Sequence, residues 1–287
     1  MMRWLREQPL TTIGFLVQRQ VKNPDMREAC ASALVALRPR KPSQASEAQE
    51  RLQTQGYAPV NVVGPAEVAE MRAYFERFQV EDPYGRTPGR FWPSDAGPET
   101  HVGHFDDRTI LHAPHVLRIA NDPEIISAVS GALGARPIIS SLIAWWSIPH
   151  AGQAREAELF HRDVDDWRFI KLFVYLTDVD AGAGPHVYVP GSHCSGKLRT
   201  IRRYSDEEVA EAYPGQILTL TGNAGTAFLE NTQGLHRGIP PRERPRLLFQ
   251  VIYSLSKSPY GPRRPLASRA DFPALDLDPY MNQVYLD

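Results

Sequence analysis

At 287 residues, with 42% hydrophobic and 23% charged side chains and a formal net charge of -1, the chain has the make-up of an ordinary soluble globular protein. That balance offers no basic surface for nucleic acid or an anionic membrane, and no run of 18 or more apolar residues could span a bilayer. Two isolated cysteines, Cys30 and Cys194, frame no disulfide scaffold and no secretory segment is evident, so a cytoplasmic protein is expected.

Residues 1–45 read as a helical extension, amphipathic in patches and Ala-rich over 29–37, that runs into the breaker Arg38-Pro39-Arg40-Lys41-Pro42-Ser43. This extension is expected to pack on the core or to pair with another copy as a homo-oligomer. Residues 46–287 are expected to form one domain with a C-terminal tail. A short helix over 47–55 is closed by Gly56, and Pro59 places the strand over 57–63 at a sheet edge. A helix opens at Pro65. Residues 80–108 show neither helical nor strand period but hold Tyr84, Phe91, Trp92 and Phe105, which suggests an ordered flap. Pro123 begins a helix that Gly134 stops, and strands follow over 137–148, 168–177, 187–189, 216–220, 225–230 and 246–254. Helices gathered in the first half and short strands in the second predict a mainly β fold with flanking helices, an antiparallel sandwich or jelly roll.

One stretch carries chemistry. In His161-Arg162-Asp163 the imidazole and carboxylate are two residues apart, so on extended backbone both point the same way. A third ligand, His236, lies far downstream, and two histidines with one carboxylate make the facial triad of non-haem Fe(II) oxygenases. Rival pairs exist at His101 and His104, at His112 and His115, and in His104-Phe105-Asp106. They lack a cysteine or a strong element to fix them and read as satisfied histidines of an exposed loop. Asp165 and Asp166 read as solvent-facing. Arg246, opening the last strand, is suited to gripping a carboxylate with its planar fork, whereas Arg242 and Arg244 read as strand-end arginines in water.

Taken with Gly184-Pro185-His186-Val187-Tyr188-Val189-Pro190-Gly191-Ser192-His193 and His236-Arg237-Gly238, these residues resemble the phytanoyl-CoA dioxygenase family over roughly 46–256. The resemblance implies a double-stranded β-helix (jelly roll, cupin-like) and an Fe(II)- and 2-oxoglutarate-dependent dioxygenase using O2. It makes His161, Asp163 and His236 the iron ligands and Arg246 the residue for the distal carboxylate of 2-oxoglutarate. Halogenating relatives replace the carboxylate ligand with a small residue; Asp163 therefore implies oxygenation. His186 departs from the leucine common after Gly-Pro, and His193 is expected to tie down its loop. No basic groove marks an acyl-CoA site, so the expected partner is a small-molecule metabolite, oxidised at an unactivated C–H with release of succinate and CO2. The alternatives are a metal-binding cupin-like isomerase or non-catalytic binding module, and a zinc hydrolase, for which no general-base glutamate accompanies the motif.

Overall fold

The computed structural model describes residues 9–21, 23–39, 45–150 and 152–287. In chain order the first half holds α1 (Pro9–Gln20), α2 (Pro24–Ala36), α3 (Glu47–Thr54), β1 (Tyr57–Val60), α4 (Pro65–Phe75), β2 (Val80–Glu81), β3 (Arg90–Phe91), β4 (Val102–His104), α5 (Asp107–Leu111), α6 (Val116–Ala120) and α7 (Pro123–Leu133). The second holds β5 (Ile138–Ser147), β6 (Phe169–Tyr175), β7 (His186–Tyr188), α8 (Asp206–Ala212), β8 (Leu218–Leu220), β9 (Ala227–Glu230), β10 (His236–Gly238), β11 (Arg246–Ser254) and α9 (Pro279–Asn282). None of the helices among the described residues is long and apolar enough to cross a membrane.

Two antiparallel sheets build the body, an eight-stranded one in the order β1-β9-β6-β11-β5-β4-β2-β3 and a three-stranded one in the order β10-β7-β8. Strands β6 and β11 are buried along their whole length because both faces are covered. On β11 the side chains alternate: Leu247, Phe249, Val251 and Tyr253 enter the main core, and Arg246, Leu248, Gln250 and Ile252 face an internal cavity. Helices α4 and α7 cover the core side with Val68, Met71, Ile126 and Val129. From the other side, Leu220 of the small sheet meets Phe173, Phe228 and Leu248 of the large one. The result is mostly antiparallel β structure with flanking helices, in a jelly-roll arrangement.

Local signals explain the boundaries. Asp122 caps α7 by accepting from the backbone N–H of Glu124 and Ile125, and Gly134 ends it at φ 76°. Gly56 closes α3 at φ 74°, where a Cβ would come within 2.1 Å of Tyr188 Oη. Strand β1, with its proline, is an edge of the large sheet. The segment 80–108 differs from the expected flap. It contributes β2, β3 and β4 to the large sheet, and a tight loop between β2 and β3, held by Asp82 accepting from the N–H groups of Tyr84, Arg86 and Thr87, brings Tyr84 to the cavity that His101, Val102 and His104 also line. Helices α1 and α2 lie on the loop after Asp163, where Gln18 Nε2 donates to Val164 O at 2.8 Å and Arg27 Nη2 to Asp166 O at 2.9 Å.

Candidate metal centre

Two short segments bring the triad together. The backbones of His161 and His236 exchange N–H···O bonds of 3.0 Å in each direction, and Asp163 N donates to Thr232 O at 2.8 Å. The two imidazoles consequently lie side by side, with centroids 4.2 Å apart and planes tilted by 48°. His161 Nδ1 lies 2.8 Å from Leu159 O and His236 Nδ1 lies 3.0 Å from Gly234 O. A carbonyl can only accept, so each Nδ1 carries the proton and each Nε2 lone pair is free to bind a metal. Asp163 Oδ1 is 3.5 Å from His161 Nε2, and Oδ2 is 3.2 Å from His236 Nε2. One ligand atom from each of the three residues lies within 4.8 Å of the others. Atoms bound about 2.1 Å from one cation at right angles sit roughly 3 Å apart, so this two-nitrogen, one-oxygen triangle, with both histidines buried and Asp163 part-buried, fits a first-row divalent metal.

Lys171, from the middle of β6, completes the electrostatics. Its Nζ is 2.6 Å from Asp163 Oδ2 and 2.8 Å from Asp165 Oδ2. Burial alone would raise the Asp163 carboxyl, but Lys171 and His236 hold it well below the usual carboxylate range. This corrects the placement of Asp165 and Asp166 in solvent: they are 7% and 4% exposed. Asp166 accepts from the N–H groups of Trp167 and Ser256, and burial pushes its carboxyl up to about 7. The signal was present in the sequence, since a lysine inside Phe169-Ile170-Lys171-Leu172-Phe173 needs a carboxylate beside it if that run is buried.

Arg246 is 4% exposed and opens onto the same cavity, about 340 Å³ in volume. Its Nη1 donates to Gly184 O, its Nη2 to Ser147 Oγ at 3.1 Å, and its Nε has no partner. Among the described residues no carboxylate pairs with it. A buried guanidinium without a counter-ion is costly, so the position suits an anion that arrives from solution. His186 lies on the wall between this arginine and the triad, its ring 5.7 Å from that of His236. Its Nε2 sits 3.0 Å from Glu230, which is fully buried. Burial pushes the Glu230 carboxyl up to about 8 and the His186 imidazole down to about 3, so both are uncharged.

The rival histidines do not converge. His112 stacks on Phe272, and His115 is bound by Glu67 and Glu70 on the surface. His101 and His104 correct the expectation of an exposed loop, since both line the cavity. His101 is held between Arg86 Nη1 at 3.0 Å and Glu156 Oε2 at 3.3 Å, stacked on Tyr84. Burial pushes His104 down to about 4. His193 Nε2 donates to Gln53 O at 3.2 Å and ties the Pro-Gly-Ser-His turn to α3. Of the tryptophans, Trp145 lines the cavity and Trp146 packs in the core, while Trp92 is exposed.

Solved structures share the fold. The non-haem alpha-ketoglutarate-dependent carbocyclase SnoK from nogalamycin biosynthesis aligns with a TM-score of 0.51 at 22% identity, over 73% of this chain and 83% of that one. The epimerase SnoN in complex with Fe3+, alpha-ketoglutarate and nogalamycin RO aligns at 0.50 and 21%, over 84% and 94%. AviO1 from Streptomyces viridochromogenes Tue57 aligns at 0.51 and 19%, over 77% and 98%. A comparison with curated protein sequences finds no match. The family model of phytanoyl-CoA dioxygenase (PhyH) matches residues 52–240, which takes in His161, Asp163 and His236, and the chain belongs to that family.

Proposed function

We propose that the protein is an Fe(II)- and 2-oxoglutarate-dependent dioxygenase that oxidises an unactivated C–H bond of a small-molecule metabolite, consuming O2 and releasing succinate and CO2. One observation carries this reading. The His161, Asp163 and His236 triangle and the guanidinium of Arg246, which has no carboxylate partner among the described residues, face a single cavity. Bound iron would supply the oxygen chemistry.

The remaining work falls to the chain. His161 and His236 offer Nε2 because carbonyls hold their Nδ1 protons, and Asp163 brings one negative charge, which Lys171 balances when no metal is present. Arg246, steadied by Ser147 and Gly184, would take the distal carboxylate of the cosubstrate. Trp145, Phe173 and Leu248 form apolar wall between the two ends and exclude water from the reacting centre. The carboxylate at Asp163 supports oxygenation over halogenation. A buried arginine awaiting an anion weighs against a cupin-like isomerase or an inert binding module. We take residues 46–287 as the oxygenase unit and residues 1–45 as an extension whose described helices brace the loop after Asp163.

Anaerobic titration of the Fe(II) protein with 2-oxoglutarate tests the reading. A visible charge-transfer band should grow to saturation and be lost in His161→Ala. No band, together with no 2-oxoglutarate-dependent oxygen uptake, would refute it.

A further inference from the structure

We propose that the part of the cavity not taken by the cosubstrate receives an uncharged ligand, an apolar ring body bearing hydroxyl or carbonyl groups, and that His104 and Gln250 recognise those groups. The inference rests on the oxygenase reading and adds the substrate class. Its first support is the charge inventory of the wall. Lys171 is held by Asp163 and Asp165, and Glu158 by His150 Nε2 at 3.0 Å and the N–H of Arg155 at 2.9 Å. His101 lies between Arg86 and Glu156, and His186 against Glu230. Arg246 alone has no ionic partner among the described residues of the wall, and the cosubstrate claims it. A charged group entering the remaining space would shed its water and meet no counter-ion.

The second support is what the wall leaves unsatisfied. The imidazole of His104 and the amide of Gln250 both line the cavity, and neither has a hydrogen bond among the described residues. Gln250 is 5% exposed and His104 half-buried, and their polar atoms stay open to the cavity, where a ligand or water can reach them. Burial keeps His104 neutral down to about 4, so one ring nitrogen donates and the other accepts. The Gln250 amide does both as well. A hydroxyl answers either residue, and a carbonyl answers their donors.

Register places the pair. His104 stands opposite Trp145 across β4 and β5, and Gln250 stands opposite Ile143 across β11 and β5. They therefore share one sheet face on either side of Trp145 and Ile143, with Cα atoms about 12 Å apart from strand spacing and rise. The flat indole of Trp145 between them gives a ring body its platform.

Three matched fragment sets, phenols with cyclohexanones, benzoates, and benzylamines, are titrated anaerobically into the Fe(II) and 2-oxoglutarate holoenzyme, following the visible charge-transfer band. The neutral set should bind about tenfold tighter than either charged set, as one unmatched buried charge or one good hydrogen bond implies. His104→Phe and Gln250→Leu should each weaken the neutral set by about tenfold while leaving 2-oxoglutarate affinity within about twofold, and His104→Asn should restore part of the loss. Charged fragments binding as tightly as neutral ones, no saturable binding by any set, or wild-type affinity in both variants would overturn the inference. Absence of the band before any fragment is added is a different result. It removes the oxygenase reading, and this one with it.

Discussion

Replacing Arg246 with methionine should separate binding from stability, with effects of very different size. The guanidinium is 4% exposed and lacks a carboxylate partner among the described residues, while it donates to Gly184 O and Ser147 Oγ. Once 2-oxoglutarate is bound the pair is buried, and breaking such a pair costs about 3–5 kcal/mol, or between two and four powers of ten in Kd. In the free protein the account differs. Arg246→Met gives up two hydrogen bonds at roughly 1 kcal/mol each but removes a desolvated charge worth at least as much. The ligand-free melting temperature should therefore move by less than about 2 °C, the shift that roughly 1 kcal/mol produces in a chain of this size. Calorimetric titration with 2-oxoglutarate in the presence of Mn(II) under argon, alongside thermal melts without ligand, measures both quantities. Cosubstrate affinity kept within about tenfold, or a ligand-free melt lowered by more than about 10 °C, would show that Arg246 is a structural residue and not the anion's partner.

Three further outcomes follow from the same geometry. His161→Ala and Asp163→Ala should abolish Mn(II) binding by electron paramagnetic resonance while His104→Ala retains it, and the reverse would move the metal to the 101–106 segment. Lys171→Met should lower the metal-free melting temperature, because Asp163 and Asp165 lose their shared cation at a cost of about 3–5 kcal/mol, and should enlarge the stabilisation that added Mn(II) produces. Equal melts for variant and wild type without metal would mean that the pair is not buried. His104 has a folded-state value of about 4 against 6.5 for the free side chain, so the unfolded chain takes up its proton first as the pH falls. The stability it contributes is complete above pH 6.5 and lost toward pH 4, by up to about 3 kcal/mol. His104→Phe should flatten the fall in urea-unfolding free energy across that window, and a difference slope of zero would show that the folded protein binds the proton as readily as the unfolded chain.

The elements legible in the sequence are those long enough to show a period or punctuated by a residue with one backbone meaning. The strands 138–147 and 246–254, the helix between Asp122 and Gly134, and the edge strand marked by Pro59 are of this kind. The side chains of His161, Asp163 and His236, chosen on residue type and spacing, do meet, although His161 and Asp163 lie outside any strand and are joined to the segment that leads into β10 by an isolated bridge and one further backbone bond. What escaped was decided by partners distant in the chain. The strands in 80–108 have two or three residues each, too few to carry any alternation, and they exist because β5 offers an open edge for β4 to pair with. Asp165 and Asp166 look like solvated loop acids until Lys171 and the N–H groups of Trp167 and Ser256 are placed beside them.

The cavity wall is the sharper case, because its chemistry is a property of register. His104 faces inward only because it pairs with Trp145, and Gln250 only because it pairs with Ile143. A slip of one residue in β4 would turn His104 outward and bring its neighbours Gly103 or Phe105 onto the wall. A three-residue strand has no hydrophobic pattern strong enough to forbid that slip, so the hold comes from outside it. Gly103 provides that hold: a Cβ there would lie 2.3 Å from Val80 of β2, so only glycine lets β2 close over β4 at this point. The glycine that admits β2 thus also fixes the face on which the histidine stands, which makes the polarity of the cavity a consequence of packing on the opposite side of the sheet.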